Sequence, residues 1–339
     1  MGSSSLLERA VRDAVIVCPL CRGILSLERV ARRGGVVKRA RLHCTSCNAQ
    51  FRVYARVPVL LPPGQFARWT LPIVEALTGN TGISYEELLA EYGVEKVREL
   101  CFKLVRGEYR PSKLLFKEPV DKRLLAEGGR RVVRKVVEKH LKLIRAQTEG
   151  SEDFAVMIEL ASSIAPSKAL DMCSGGGFFL ARFLERYRGF DHLFSIDVDY
   201  HCAKRVEGTL RYYRLLDRAL PLVANARIMP FQSSYFDLVT NNCGFSQILG
   251  YSRALHEAFR VLRPGGRMVV RDIQGITRWD SSELRSTIGF TVEELVSIHK
   301  HCDIYVDKEE FLTLARRVGF HIEGVWDFDE YFIAVLEKP

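Results

Sequence analysis

Two acidic side chains, each near the end of a short apolar run, are the residues of this sequence best suited to bind a cofactor. Asp171 lies in the run 168–172, directly before the glycine-rich stretch 173–177, and Asp197 ends a second run that starts at position 193. Glycines let a backbone turn sharply and approach a ligand, and a carboxylate at the end of the neighbouring parallel strand accepts ribose hydroxyls. The pattern predicts a nucleotide-type cofactor site.

The spacing of the glycines indicates which kind of cofactor the loop binds. Gly175 and Gly177 match the first two glycines of a G-x-G-x-x-G loop, but Leu180 stands where a dinucleotide-binding loop has its third. The sequence therefore disfavours a pyrophosphate-containing dinucleotide.

Three further segments follow in order. Val223–Phe231 contains Asn225, and Tyr235–Cys243 reads as a strand that ends in two amides and a thiol. Ala254–Val270 then reads as a helix, a Pro-Gly-Gly turn and a strand. In the order and spacing of these motifs, the region 151–339 resembles the class I S-adenosylmethionine-dependent methyltransferases. The resemblance implies an α/β fold with a doubly wound, Rossmann-like sheet.

The family pattern also implies roles for single residues when it is transferred position by position. It places the methionine end of S-adenosylmethionine against the loop and the ribose and adenine against residues further on. The cofactor-binding residues implied in this way are Asp171, Cys173, Gly175, Gly177, Asp197, Val198, Asn225 and Ala226. Asn225 departs from the family, which commonly has Asp there, but an amide oxygen can still accept from the adenine amino group.

The acceptor pocket is expected where the strand through Thr240 ends, because that position lies beside the sulfonium in the family fold. Asn241 and Asn242 are the candidates for positioning an acceptor, and Asp272, after the Pro-Gly-Gly strand, is the acid–base candidate. Phe245 is a candidate for stacking on an acceptor ring. Cys243 is an alternative nucleophile, although a free cysteine is commonly a packing residue.

Four of the nine cysteines form two C-x-x-C pairs, Cys18 with Cys21 and Cys44 with Cys47. Two such pairs are the ligand set of a tetrahedral structural zinc site, and 22 intervening residues leave room for a β-hairpin with a turn at Gly34-Gly35. A redox dithiol needs one pair rather than two. With four thiolate ligands the ion has no open position, so the site is expected to stabilise the fold rather than to catalyse.

Around these cysteines, residues 15–62 resemble two zinc-ribbon families, and similar ribbons also precede methyltransferases of sugars and small metabolites. One is the small zinc-ribbon subunit that activates methyltransferases of the translation machinery, and the other is the ribbon ahead of a bacterial ribosomal RNA guanine methyltransferase. Cys-Pro-x-Cys-x-Gly-x-Leu and Val-Pro-Val-Leu-Leu-Pro carry the resemblance. It implies a small β-rich ribbon with a structural Zn²⁺.

The chain is thus expected to have three parts: a zinc ribbon at 10–62, a basic helical segment at 63–150 that acts as a lid or docking module, and the methyltransferase domain at 151–339. Helical patterns in the middle part cover 84–106 and roughly 121–147, and the second has valines on one face and cations on the other. A further cluster of His299, His301 and Cys302 is read as surface rather than as a second metal site.

Charge is distributed unevenly along the 339 residues, whose formal net charge is +9. Residues 1–150 carry a net charge of +13 and residues 151–339 a net charge of −4. The composition is that of an ordinary globular protein, with no candidate membrane span and no signal-peptide pattern, so a cytoplasmic location is expected.

A basic front half suggests a partner that carries phosphates, and the leading hypothesis is methylation of ribosomal or transfer RNA. The alternative acceptor is a small metabolite, lipid or sugar. A third hypothesis is a cofactor-binding protein that recruits a protein partner through its zinc ribbon.

Overall fold

The computed structural model describes residues 5–33, 36–61, 130–248, 251–274, 306–329 and 331–339. The turn at Gly34-Gly35, the helical pattern at 84–106 and the cluster of His299, His301 and Cys302 lie outside these residues. So does the first part of the pattern at 121–147, and of residues 130–136 only the backbone is described.

Seven α-helices and eleven strands are formed by the described residues. The helices are α1 Leu6–Arg12, α2 Arg130–Thr148, α3 Glu152–Ser163, α4 Phe178–Arg186, α5 Tyr200–Tyr212, α6 Tyr251–Val261 and α7 Lys308–Val318. The strands are β1 Leu25–Arg33, β2 Val36–Cys44, β3 Gln50–Tyr54, β4 Val57–Val59, β5 Lys168–Met172, β6 His192–Asp197, β7 Ala219–Val223, β8 Phe236–Asn242, β9 Leu262–Ile273, β10 His321–Asp327 and β11 Tyr331–Glu337. Short 3₁₀ helices cover Ala226–Ile228 and Phe245–Gln247.

One mixed sheet contains all eleven strands, in the order β1-β2-β3-β4-β7-β6-β5-β8-β9-β11-β10. Strands β7, β6, β5, β8 and β9 run parallel, and β11 and β10 close the far edge as an antiparallel hairpin. The parallel strands are buried almost along their whole length, as expected for strands covered by helices on both faces. This confirms the predicted doubly wound, Rossmann-like α/β fold.

The order in which strands are added to the sheet reverses at β5: β6 and β7 lie on one side of it, and β8 and β9 lie on the other. In sheets of this kind, ligands bind outside the carboxyl ends of the strands at this switch point. The topology therefore places the glycine-rich loop after β5 and the end of β8 at the two sides of one crevice.

The ribbon strands β1–β4 extend this sheet. Strand β4 pairs parallel to β7 through Val59 and Val223, and the Leu60 amide donates to the Val223 carbonyl at 2.8 Å. One hydrophobic cluster joins ribbon side chains such as Leu42 and Phe51 to domain side chains such as Leu170 and Phe194. The ribbon strands and the parallel strands of the sheet therefore fold around a common core.

None of the described helices is both long enough and apolar enough to cross a lipid bilayer.

Candidate functional site

The glycine loop, Cys173–Gly177, turns sharply from β5 into α4. Cys173, Gly175 and Gly177 all have positive φ angles, of 57°, 51° and 82°. Gly177 is the N-cap of α4, and a Cβ there would lie 3.1 Å from a Val206 methyl carbon. The loop thus brings backbone close to the crevice in a conformation that glycine adopts without strain.

Asp197, at the end of β6, holds this loop through one carboxylate oxygen and the turn after β6 through the other. Its Oδ2 accepts from the Gly175 amide and its Oδ1 from the Asp199 amide, each at 2.8 Å. Burial raises the pKa of Asp197 to about 6, although the amide donors oppose the shift. Because each oxygen has a second lone pair, the carboxylate can also accept the two hydroxyls of a ribose.

Asp171 is buried at the centre of the crevice. The Thr240 hydroxyl donates to its Oδ1 at 2.8 Å, whereas its Oδ2 has no hydrogen-bond partner. Burial raises its pKa to about 7; the Thr240 bond opposes that shift, and the charge of Asp197 adds to it. An unpartnered buried carboxylate oxygen needs a polar or cationic ligand. S-adenosylmethionine, which carries an ammonium, a sulfonium and a ribose diol, fits Asp171 and Asp197 together with the glycine loop.

The raised pKa of Asp171 leads to a testable pH dependence. A cationic cofactor favours the ionised carboxylate, so its affinity should rise roughly tenfold between pH 6 and pH 8. Asp171→Asn should bind the cofactor more weakly, with most of this pH dependence lost, as calorimetric titration at several pH values would show. A variant that keeps the full pH dependence would contradict the assignment.

The raised pKa of Asp171 also predicts how the stability of the cofactor-free protein depends on pH, in the direction opposite to that of cofactor affinity. The folded-state pKa, about 7, lies above the unfolded value near 3.8, so the folded chain holds the extra proton between these pH values. The free energy of unfolding should therefore fall as the pH rises from 4 to 7. Asp171→Asn should remove this contribution and stabilise the free protein at pH 8, which denaturant unfolding would measure.

The expected adenine side of the crevice follows β6 and β7. Val198 directly follows Asp197, and the Ala224 amide donates to the Asp197 carbonyl at 2.9 Å. Asn225 is buried and caps the 3₁₀ helix, because its Oδ1 accepts from the Arg227 amide at 2.9 Å. Ala226 is buried beside it. The Asn225 oxygen predicted to read adenine thus also has a structural role.

On the acceptor side, two of the three catalytic candidates hold the backbone of one loop, residues 243–246, here called the acceptor loop. Asn241 Oδ1 accepts from the amides of Gly244 and Phe245 at 3.1 and 3.2 Å. Asp272 Oδ2 accepts from the amides of Phe245 and Ser246 at 2.9 and 3.2 Å. Both side chains are fully buried, and burial raises the pKa of Asp272. This geometry gives them a positioning function.

The third candidate, Asn242, is half-buried and lies next to a buried cation. Its Oδ1 accepts from Arg271 at 3.1 Å, and the same guanidinium lies 3.1 Å from Cys243 Sγ and 3.6 Å from the centre of the Tyr331 ring. Arg271 Nε also donates to Asp153 at 2.7 Å. The oxygen of Asn242 is therefore oriented by Arg271, and its amide nitrogen remains as a donor.

Phe245 does not take the predicted stacking position. Its side chain is fully buried and packs against Phe311 and Tyr251, with ring centres 5.2 and 5.9 Å away. It anchors the acceptor loop in the core instead.

Gly244 is the point at which the acceptor loop touches the glycine loop. A Cβ there would lie 2.4 Å from Asn241 Nδ2 and 2.6 Å from Cys173 Cβ. Gly244→Ala should therefore lower the free energy of unfolding by about 1–3 kcal/mol, the usual cost of overpacking. Thermal unfolding would test this, with Gly176→Ala as control, because there the nearest atom to the new Cβ is a Phe178 ring carbon at 3.3 Å. Equal stability of the two variants would contradict the steric argument.

His140 is a site residue that the sequence analysis did not identify. It lies on α2, and its Nε2 is 2.8 Å from the Gly176 carbonyl, while its ring packs edge-on against Phe178. Burial lowers its pKa, which favours the neutral ring. The helical spacing of the buried residues Val137, Leu141 and Ile144 puts His140 on the inner face, and this spacing was the available signal.

The four predicted zinc ligands come together in the structure. Sulfur atoms of Cys18, Cys21, Cys44 and Cys47 all lie within 4.8 Å of one another. The pairs Cys18–Cys47 and Cys21–Cys44 are separated by 3.7 and 3.5 Å. Four thiolates at about 2.3 Å from a tetrahedral zinc would be about 3.8 Å apart. The cluster therefore fits a zinc ion in both ligand type and spacing.

This chain is similar in sequence to known methyltransferases over part of its length. Residues 152–281 match the model of the ubiE/COQ5 methyltransferase family. The ubiquinone/menaquinone biosynthesis C-methyltransferase of Cereibacter sphaeroides is 28% identical over 167 residues, which cover 45% of this chain and 66% of that protein. The enzyme of the same name from Serratia proteamaculans is 30% identical over 155 residues, which cover 45% and 60%. The chain thus spans slightly less than two thirds of these relatives.

Solved structures with a similar chain path include a S-adenosylmethionine-dependent methyltransferase from Aquifex aeolicus. It has a TM-score of 0.44 and 14% identity, and the match covers 59% of this chain and 98% of that one. A complex of the Haloferax volcanii Trm112 methyltransferase activator with a methyltransferase gives a chain with a TM-score of 0.40 and 17% identity, covering 58% and 97%.

Proposed function

We propose that the class I S-adenosylmethionine-dependent methyltransferase domain of this chain methylates a small organic acceptor. The family match over residues 152–281 carries this proposal, because it includes the glycine loop, Asp197 and the acceptor loop. Support for a small acceptor comes from the relatives, which are named for C-methylation in quinone biosynthesis. We therefore rank the small acceptor above RNA.

The described residues would perform three tasks in this reaction. When bound, S-adenosylmethionine supplies an electrophilic methyl group on a sulfonium, so the protein needs mainly to hold the acceptor in line and to exclude water. Asp171 and Asp197 would bind and orient the cofactor. Asn241 and Asp272 would fix the backbone of the acceptor loop, and the Asn242 amide nitrogen would donate a hydrogen bond to an acceptor oxygen.

The direct test is the fate of a labelled methyl group. Purified protein, methyl-labelled S-adenosylmethionine and a reduced naphthoquinone without its ring methyl group should give a labelled low-mass product that resists ribonuclease. A parallel reaction with total RNA provides the comparison. Label found only in ribonuclease-sensitive material would reject the small acceptor, and cofactor binding without methylated product in either reaction or in cell extract would favour a recruiting role.

RNA remains a second candidate because of one surface, the solvent face of β2 and β3. Arg39, Arg41 and Arg52 lie on this face, Arg41 directly opposite Arg52, and none takes part in an ion pair among the described residues. The exposed Tyr54 ring lies 5.9 Å from the Arg39 guanidinium. Arg39 and Arg52 are exposed and Arg41 is half-buried, and cations beside an exposed aromatic ring suit a phosphate backbone and its bases.

This candidate has its own measurement. If the face binds RNA, affinity should fall steeply as the salt concentration rises. Simultaneous replacement of Arg39, Arg41 and Arg52 by alanine should reduce the slope of log affinity against log salt concentration by about two to three. A matched triple variant of Arg182, Arg186 and Arg316, on helices of the methyltransferase domain, should leave it unchanged. Absence of RNA binding at low salt would reject the candidate.

A further inference from the structure

Arg22 lies directly after the first pair of predicted zinc ligands. Its backbone conformation depends on the turn Cys18–Cys21, here called the first zinc knuckle. Its φ angle is +63°, and its amide donates to the Cys18 carbonyl at 2.8 Å. A left-handed conformation is unfavourable for arginine and persists only where surrounding contacts enforce it. The knuckle that brings Cys18 and Cys21 to one ion therefore also sets the direction in which the Arg22 side chain leaves the ribbon.

That side chain reaches across to the methyltransferase domain. The Arg22 guanidinium donates to both Glu257 oxygens, at 2.9 and 2.8 Å, and to the Met229 carbonyl. Glu257, on α6, in turn accepts from the Met229 amide at 2.7 Å. Both polar backbone groups of Met229 are thus held by a pair that includes a ribbon residue.

Met229 directly follows the 3₁₀ helix Ala226–Ile228, which Asn225 caps. The next residues pair with the ribbon: Val17 donates to the Pro230 carbonyl at 3.0 Å, and the Gln232 amide donates to Val15 at 3.1 Å. Arg260 adds a bond to the Met229 carbonyl at 3.1 Å. The segment expected to contact adenine is therefore held at its carboxyl end from two sides, by the residues around the first zinc knuckle and by Arg260 of α6, which also donates to both Glu257 oxygens.

We propose that Arg22 is a positioning residue through which the four-cysteine metal site and the cofactor site are energetically coupled. Metal binding fixes the knuckle, the knuckle directs Arg22, and Arg22 with Glu257 holds Met229 and the adenine-side segment in the conformation that accepts the cofactor. The inference rests on the proposed function in one respect, namely that S-adenosylmethionine binds in the crevice.

Coupling of this kind is reciprocal. If the metal raises cofactor affinity by some factor, the cofactor must raise metal affinity by the same factor. Couplings between sites are commonly 5- to 150-fold. One guanidinium nitrogen of Arg22 contacts both oxygens of the mostly buried Glu257, and another donates to a backbone carbonyl, so the loss of Arg22 should lower the coupling by a measurable factor within this range.

The first experiment is calorimetric titration of the zinc-loaded full chain with S-adenosylmethionine. Arg22→Ala should weaken binding by about 5- to 30-fold, with zinc content and the thermal unfolding midpoint close to those of the wild type. Arg32→Ala is the matched control, because it removes another ribbon ion pair, with Glu8, that does not reach the adenine-side segment. If both variants bind the cofactor as the wild type does, the proposal is wrong.

The second experiment measures the opposite direction, as the rate of zinc transfer to a colorimetric chelator. S-adenosylmethionine should slow this transfer in the wild type and in Arg32→Ala, and the protection should be largely lost in Arg22→Ala. Equal protection in all three proteins would overturn the coupling but leave the methyltransferase assignment intact. A wild-type protein that binds no S-adenosylmethionine at all would instead overturn the proposed function.

Discussion

Asp197→Ala is expected to lower the affinity for S-adenosylmethionine at least about 100-fold. The carboxylate holds the Gly175 and Asp199 amides and, in the proposed complex, two ribose hydroxyls. Hydrogen bonds to a charged group are worth roughly 1.5–3 kcal/mol each, so loss of the two ribose bonds alone accounts for a change of this size. Calorimetric titration at pH 8, where the wild-type carboxylate is ionised, is the appropriate measurement.

Asp197→Asn tests how much of the cofactor affinity depends on the charge of the carboxylate, because asparagine keeps nearly the same shape. Its amide oxygen can replace one carboxylate oxygen, so the loss should be smaller, about tenfold. Because the pKa of Asp197 is raised to about 6, wild-type affinity should also fall as the pH drops below 6. The asparagine variant should lack that acid-side decrease. If alanine and asparagine weaken binding equally and slightly, the ribose does not lie on this residue.

The arrangement of the glycine loop and Asp197 could be predicted from the sequence, because a cofactor crevice of the proposed kind restricts residue types locally. Positive φ angles at Gly175 and Gly177 favour glycine, and a ribose-binding carboxylate must stand at a strand end, as Asp197 does. The four cysteines are identifiable for the same reason, since a tetrahedral thiolate site requires two closely spaced pairs. In each case, short stretches of sequence contain most of the information needed to predict the site.

Other features depend on partners that sequence spacing does not reveal. Asn241 and Asp272 lie where an acceptor was expected, but their oxygens bind backbone amides of the acceptor loop, which comes close only after β8 and β9 pair. The ribbon also reads as a separate domain, whereas β4 pairs with β7, more than 150 residues away. Long-range strand pairing of this kind leaves little local signal.

The second large effect is expected on stability: because the core is common, loss of the metal site should destabilise more than the ribbon. Cys44→Ala removes one buried cysteine of the four-cysteine cluster, and chelation would remove a bound zinc ion from all four. Structural zinc contributes directly to folding free energy. Because ribbon side chains share a hydrophobic cluster with Leu170 and Phe194, the effect should spread beyond the ribbon. Either treatment should lower the thermal unfolding midpoint by at least about 10 °C, or yield aggregated protein.

The matched control is Cys202→Ala, a half-buried cysteine on α5 outside the metal cluster, which should change the midpoint by only a few degrees. Native mass spectrometry should find one zinc per wild-type chain and none in Cys44→Ala.

The shared sheet gives a stricter test by hydrogen exchange. If the Leu60 amide, which donates to Val223, keeps its wild-type protection after zinc removal, the ribbon does not need the metal to remain on the sheet edge. Loss of protection in β4 together with β7 would show that metal binding stabilises the cofactor side of the sheet through this pairing.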